Sequence, residues 1–172
     1  MELVAAAGDQ LDRVGRQEKD SGDFGELSRR ALLASLSAQI GEGLPGFFEA
    51  TPEEVRRSAA RASYPAEFSK LARSFFTDLL SRTLRYWLDR TLSTHVGPEK
   101  RFAHAGQRAA FDQALQQYCF EATRIIAEFS AGWYGRRFNT GSAISRQDVA
   151  GFGAVAFKKI NSELRRKWTG DG

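Results

Sequence analysis

The stretch from residue 66 to residue 94 constrains the fold more than any other part of the sequence. Its apolar side chains recur at three- and four-residue intervals, the spacing that places residues on one side of an α-helix. They are Phe68, Leu71, Phe75, Phe76, Leu79, Leu80, Leu84, Trp87 and Leu88. They cover more than half of the helix circumference, and so wide an apolar arc needs other elements on several sides. We therefore expect this segment to be the central, most buried helix.

Composition indicates that the surrounding elements are helices as well. The 172 residues include 39 alanines and leucines but only 11 valines and isoleucines, so helix formers far outnumber strand formers. Apolar periodicity and helix start and stop signals predict four further helices, at about 28–40, 52–62, 107–131 and 146–168. The length is that of one domain. The sequence thus predicts an all-α fold, a single-domain bundle of about five helices.

The N-terminal segment, residues 1–27, differs from the rest of the chain. It is acidic, and four glycines interrupt its alternating charges. This pattern is typical of a flexible arm that becomes ordered on a partner. We expect such an arm over residues 1–27 and the α-helical bundle domain over residues 28–172.

The helical spacing also predicts which residues form the core. We expect nine side chains from the apolar faces of three helices to be buried there. They are Phe75, Leu79, Leu84, Trp87, Leu115, Ile125, Ile126, Phe129 and Ile160. The core prediction thus draws on the second half of the chain as much as on the central helix.

Few residues suit metal or cofactor chemistry. One cysteine, Cys119, and two histidines, His95 and His104, are too few for the usual zinc sites. The glycines of residues 41–46 are spaced as in a dinucleotide-binding loop, but such a loop follows a strand and this one follows a predicted helix. We interpret those glycines as a helix stop. We expect no metal, no small-molecule cofactor and a buried structural thiol at Cys119.

Hydropathy gives an expectation for location. No apolar run approaches the eighteen or so residues needed to cross a bilayer, and the first residues lack the charged start and apolar stretch of a signal peptide. We therefore expect a cytoplasmic protein with no membrane partner.

The most distinctive stretch is residues 132–142, which join three glycines, three aromatics and two arginines between two predicted helices. We expect this stretch to be a loop. The candidate binding residues in it are Trp133, Tyr134, Arg136, Arg137 and Phe138. Rings and guanidinium groups on a loop can stack on unpaired bases and hold phosphates, and they equally anchor protein interfaces. A third interpretation is that Trp133 closes the core and the arginines are solvated.

Positive charge is concentrated in the same half of the chain. Residues 1–60 carry a net charge of −4, whereas residues 61–172 carry +8. The last predicted helix contributes five further candidate binding residues, namely Lys158, Lys159, Arg165, Arg166 and Lys167. Cations in a final turn also complement the helix dipole. These residues form a functional patch only if the fold places them together with Arg136 and Arg137.

One short motif points to catalysis. The sequence from Arg90 to His95 is similar to the Arg-x4-6-His motif of HEPN-type ribonucleases, small all-α domains that cut RNA without a metal. The resemblance implies that His95 transfers a proton at the ribose hydroxyl and that Arg90 stabilises phosphate charge. The family usually has a polar residue such as asparagine or histidine after the arginine, whereas this chain has Thr91.

These features lead to one functional expectation and one alternative. We expect a non-enzymatic all-α subunit or adaptor of a larger, bacterial-type multi-protein complex. Its partners would be other protein subunits, with nucleic acid as a further ligand of a basic and aromatic C-terminal face. The alternative is the metal-independent, HEPN-like ribonuclease that uses Arg90 and His95.

Overall fold

Helices make up nearly all of the structure, a computed structural model. It describes residues 9, 22–42, 51–61, 63–92, 97, 100 and 102–169. The helices are α1 (Asp23–Glu42), α2 (Pro52–Arg61), α3 (Pro65–Leu92), α4 (Ala105–Ala122), α5 (Arg124–Thr140) and α6 (Arg146–Thr169). They account for 88% of the described residues, among which there is no strand. The all-α, single-domain prediction is confirmed.

Capping residues begin two of the helices where the sequence predicts. At α2, the Thr51 amide donates to Glu54 Oε2 (2.8 Å) and the Glu54 amide donates back to Thr51 Oγ1 (3.3 Å). At α6, Ser145 and Asp148 form the same reciprocal pair, at 3.0 and 3.2 Å. Each pair supplies acceptors to amides that have no partner inside the helix.

The predicted helix over residues 107–131 is divided in two. It breaks at Thr123, a fully buried residue between α4 and α5. Thr123 Oγ1 donates to the Cys119 carbonyl (2.9 Å) and lies 2.6 Å from Thr77 Oγ1. A side chain that bonds to nearby carbonyls competes with helical hydrogen bonding. Thr77 on α3 therefore faces the point at which the α4–α5 helix breaks.

The prediction of a loop over residues 132–142 is wrong, because α5 continues through Thr140. The helix ends at Gly141, whose φ of 62° lies in the left-handed region that glycine adopts without strain. The Ser142 amide then donates to the Arg137 carbonyl (3.2 Å), as at many helix C-termini. Only the last of the three glycines in this stretch therefore ends the helix.

Helix α3 is antiparallel to α1 and to the α4–α5 pair. Along the second pair, Ser81 Oγ donates to Gln116 Oε1 (2.7 Å), and further toward the start of α3 the Phe68 ring stacks on the Tyr134 ring. Helix α6 is antiparallel to α4–α5 in turn, because Asp148 at its start contacts α5 and Leu164 near its end contacts α4. Helix α3 therefore occupies the centre, as its wide apolar arc predicts.

The core lies between α3, α5 and α6, and most of the predicted core residues contribute to it. Leu79, Ile126 and Ile160 are buried. Five further predicted residues are half-buried, namely Phe75, Leu84, Leu115, Ile125 and Phe129. Ile126 and Ile160 belong to the buried cluster between these helices, together with Ala72, Phe76 and Ala156.

Trp87 is the exception, because 60% of it is exposed. Its prediction as a core residue is wrong. Helix α6 contacts α4 at Tyr118, whereas Trp87 lies beyond that level, next to the part of α3 where Arg85 reaches the Asp112 carbonyl (3.4 Å). The apolar face of α3 therefore extends along the helix beyond the region that α6 covers.

Helix α1 begins at Asp23, inside the segment predicted as an arm over residues 1–27. Residues 1–8 and 10–21 of that segment lie outside the described residues. Within the described ranges, no helix has the length and hydropathy needed to cross a membrane.

Candidate interaction surface at the aromatic end of the bundle

The start of α3, the end of α5 and the start of α6 meet at one end of the molecule, where their aromatic rings pack together. We call this cluster the aromatic end; it comprises Tyr64, Phe68, Phe129, Trp133, Tyr134, Phe138 and Phe152. Phe68 stacks on Tyr134 with ring centroids 4.2 Å apart, and Trp133 contacts Phe152 at 4.7 Å. Such ring pairs add stability beyond the area that they bury. The aromatic end is thus a rigid, packed structure.

Two rings at the aromatic end remain exposed to solvent. Tyr64 is 57% exposed and Phe138 is 46% exposed, and their centroids lie 6.0 Å apart. Tyr134, which stacks on Phe68, lies 6.2 Å from Phe138 and links this exposed pair to the core. Exposed rings held in place by buried ones lose little conformational entropy on binding, a property of interface anchors.

Trp133 and Tyr134 are half-buried, so their rings serve first to pack α5 against its neighbours. The ring of Trp133 continues the apolar face of Phe129 and packs on Phe68 and Phe152. Trp133 therefore packs against rings that border the core, and its role in binding a partner stays a prediction. Among the predicted aromatic residues of this stretch, Phe138 is the one left largely exposed.

The two arginines of the stretch differ in their surroundings. Arg137 pairs with Asp148 and lies over the Trp133 ring, with its guanidinium carbon 5.1 Å from the centroid. Hydrogen bonds from the Ser145 hydroxyl and amide, together with the Arg137 charge, lower the pKa of Asp148. Arg137 therefore ties α5 to α6. Arg136 is exposed, and its Nε donates to the Gly132 carbonyl of its own helix (3.2 Å).

The basic residues of α6 are spread along that helix. Arg137 contacts the start of α6, whereas Lys158 lies ten residues and Lys167 nineteen residues beyond Asp148. At 1.5 Å per residue these separations are about 15 and 28 Å. The structure therefore does not gather the predicted cations into one compact patch.

Several of those cations have partners in the described part of the fold. Arg166 pairs with Glu163 (2.7 Å), Lys159 lies over the Phe129 ring (5.5 Å) and Lys167 lies over the Tyr118 ring (5.7 Å). Lys158 and Arg165 are exposed. The ammonium and guanidinium groups of α6 thus contribute to packing as well as to surface charge.

A cleft of about 510 Å³ between the α4–α5 pair and α6 is charge-balanced. It is lined by three acidic and three basic side chains and one isoleucine, namely Glu121, Glu128, Glu163, Arg124, Arg166, Lys167 and Ile125. Positive residues of α6 therefore face carboxylates here, which reduces their attraction for phosphate groups.

Cys119 is fully buried, as predicted. Burial raises the pKa of its thiol to about 11, against a smaller opposite effect of the Arg85 charge. At neutral pH the group is the thiol, which is far less nucleophilic than a thiolate. Within the described ranges, no three His, Cys, Asp or Glu side chains come close enough to hold a metal ion together.

The ribonuclease motif is only partly within the described residues. The Arg90 guanidinium lies over the Tyr86 ring, 4.6 Å from its centroid, near the end of α3. His95 lies outside the described residues. The catalytic assignment stays a prediction, which loss of RNA cleavage in a His95→Ala variant would support.

Sequence reasoning missed Tyr64. This residue directly precedes Pro65, the first residue of α3, and its carbonyl accepts the first helical hydrogen bond from the Phe68 amide (2.9 Å). Proline at a first helical position is a recognised start signal. Applied here, that signal would have placed the Tyr64 ring at a helix end rather than in an unassigned turn.

No family model, curated protein or solved structure matches this chain.

Proposed function

We propose that the protein is a non-enzymatic subunit or adaptor that binds a partner protein through the aromatic end of its bundle. The observation that carries this proposal is the exposed pair Tyr64 and Phe138, supported from beneath by stacked, half-buried rings. Tyrosine and other aromatic residues are enriched among the anchors of protein interfaces. The partner would place an apolar side chain between or against these two rings.

The charges nearby favour a protein partner over a nucleic acid. Arg137 is paired with Asp148, whereas Lys158 lies about 15 Å along α6 from Asp148 and Arg166, itself paired with Glu163, about 27 Å. Binding to nucleic acid draws most of its affinity from several cations that contact phosphates together. The rings of Tyr64 and Phe138 are exposed whether or not the nearby cations are paired, so they can contact a protein surface.

The test is copurification of the full chain from its native host, followed by a measured affinity for the protein recovered. The variant Tyr64→Ala/Phe138→Ala removes both exposed rings. Trp87→Ala is the matched control, because Trp87 is an exposed aromatic as Tyr64 is, but it lies near the end of α3, 23 residues from Tyr64 and about 35 Å away along the helix.

We expect the double variant to weaken binding of a stoichiometric partner by at least about 30-fold, the effect of losing about 2 kcal/mol at an interface anchor. The Trp87→Ala protein should bind as the wild type does. Recovery of no stoichiometric partner, or equal binding by the double variant and the wild type, would reject the aromatic end as the interface.

A further inference from the structure

A second cleft, of about 500 Å³, opens between α1, α3 and α4, beside the helix break at Thr123. Its lining includes Ser35 from α1, Lys70 and Arg73 from α3, and Phe120 from α4. Small-molecule sites commonly have volumes of about 300 to 1,000 Å³ and a few converging polar groups. This cleft lies apart from the aromatic end and plays no part in the proposed protein interface.

Arg73 is held firmly at this cleft. Its guanidinium carbon lies 3.9 Å from the centroid of the Phe120 ring, and Nη2 donates to the Phe120 carbonyl (3.2 Å). Thr123 Oγ1 donates to the same carbonyl (3.2 Å), so the break between α4 and α5 helps to form this arrangement. The Phe120 ring and carbonyl thus hold the guanidinium beside the cleft, and it must turn from them to meet a ligand.

The charge of Arg73 has no carboxylate within ion-pair distance in the described part of the chain, unlike its neighbours. Lys70 pairs with Glu67 and Asp78 pairs with Arg82, each at 2.7 Å. The Nε atom of Arg73 is buried and has no hydrogen-bond partner within the described ranges. A buried polar atom without a partner costs about 1–3 kcal/mol, and more when it is charged.

Ser35 shows the same feature on the opposite wall. The residue is only 3% exposed, and its Oγ has no hydrogen-bond partner among the described residues. Two side chains that line the cleft thus each carry one polar atom without a partner there, the Nε of the Arg73 guanidinium and the Oγ of the Ser35 hydroxyl. Both can donate a hydrogen bond, so both suit an acceptor that carries negative charge.

We propose that this cleft binds the oxyanion group, a carboxylate or a phosphate, of a small molecule. Arg73 supplies the charge and Ser35 a hydroxyl donor, whereas the Lys70 charge at the same cleft is paired with Glu67. Both unpartnered atoms are covered by neighbouring atoms, so binding turns the Ser35 hydroxyl or the Arg73 guanidinium toward the cleft. Two carboxylates, Glu42 and Asp78, also line the cleft, which favours a ligand with a single oxyanion and a neutral or cationic remainder.

The experiment is a nuclear magnetic resonance titration of the isotope-labelled full chain. Inorganic phosphate and acetate are added separately, with chloride used to hold ionic strength constant. We expect saturable shifts of the amide signals of Ser35, Arg73 and Phe120 with at least one anion. Saturation with phosphate alone, or with acetate alone, identifies which class of oxyanion the cleft accepts.

Three variants test the residues that carry the proposal. Ser35→Ala should weaken anion binding by about fivefold, because a neutral hydrogen bond to the anion is lost. Its unfolding midpoint without added anion should stay unchanged or rise, because a hydroxyl without a hydrogen-bond partner is removed. Arg73→Gln should weaken binding at least about tenfold, the loss of a charged one. Arg124→Gln is the matched control, since Arg124 lines the charge-balanced cleft of similar volume.

Two results would overturn the proposal. One is the absence of saturable shifts at Ser35 and Phe120 with either anion. The other is equal anion affinity in the Ser35→Ala, Arg73→Gln and Arg124→Gln proteins. If Arg73→Gln fails to fold, the Ser35→Ala protein still decides the question, because its expected loss of binding comes without a loss of stability.

Discussion

Around Phe68, near its start, α3 is held by aromatic rings, whereas around Arg85, near its end, it is held by arginine side chains. Phe68 contacts rings of α5 and α6 at 4.2 to 6.2 Å. Arg85 instead donates to the Gln116 side chain (3.3 Å), and one turn further Asp89 pairs with Arg108. Helix α3 therefore has aromatic contacts near its start and charged contacts near its end, around Arg85 and Asp89, which we call the charged end.

The difference shows where this protein can expose an apolar surface without losing its structure. The hydrophobic stabilisation from ring burial is not screened by salt as ion pairs are, so the inner rings can hold the helices together while the outer rings Tyr64 and Phe138 remain exposed. Ion pairs near the surface contribute little and are weakened by salt. We therefore place the interaction surface at the aromatic end, and the difference between this end and the charged end can be tested in several ways.

The largest difference is expected between Phe76→Ala and Trp87→Ala. Phe76 is 3% exposed and lies in the buried cluster, so its truncation should lower the free energy of unfolding by about 3–5 kcal/mol. Trp87, at the charged end, is mostly exposed and its loss should cost less than about 1 kcal/mol. Denaturant unfolding of both variants measures the two effects. Equal losses would mean that the charged end is packed as tightly as the rest of α3.

A smaller, salt-dependent effect is expected at the charged end. Arg108 pairs with Asp89 and with Asp112 (3.2 Å), and its side chain is largely buried. Arg108→Gln should lower the free energy of unfolding by about 0.5–1 kcal/mol at low salt and by less at about 1 M salt. Phe68→Leu, at the aromatic end, should show no such reduction. A salt-independent loss in Arg108→Gln would mean that the arginine acts through packing instead.

A pH effect is expected at the aromatic end, because Asp148 joins α5 to α6. Its folded-state pKa lies below the ordinary value of 3.8, since it accepts hydrogen bonds from Ser145 and pairs with Arg137. A carboxyl with a lowered pKa stabilises the fold above its ordinary pKa, and this contribution disappears as pH falls through the folded-state value. Asp148→Asn should therefore be less stable than the wild type at pH 7, and the difference should vanish near pH 2. A constant difference across that range would remove the ion pair as its cause.

Much of the fold follows from the sequence, because a wide apolar arc and reciprocal capping residues are local signals. The segment 66–94 was expected to be the central helix, and α3 occupies nearly the same residues. The continuation of α5 was missed, because glycines in residues 132–141 favour a turn locally and their cost is offset by the packing of the Trp133 and Tyr134 rings.

The candidate site was less predictable than the fold. Phe138 was a candidate from composition, but its partner Tyr64 lies 74 residues away in sequence and belongs to no periodic pattern. The pairing of Arg137 with Asp148 joins two helices across a turn, so helical spacing does not show it. The positions of these groups depend on tertiary contacts, which composition and spacing do not encode.

The smallest expected effect concerns nucleic acid and the two arginines of the aromatic end. If the protein partner is the true ligand, single-stranded RNA and duplex DNA should fail to bind at about 50 mM salt, as measured by fluorescence anisotropy. If either one binds, each cation on a phosphate contributes about 0.7–0.9 to the slope of log affinity against log salt. Exposed Arg136 should then contribute more than Arg137, whose charge Asp148 already neutralises. A slope reduced by about 1.5 or more in Arg136→Glu/Arg137→Glu would show that both arginines contact phosphate. It would contradict the expectation that Arg137, paired with Asp148, contributes less than Arg136.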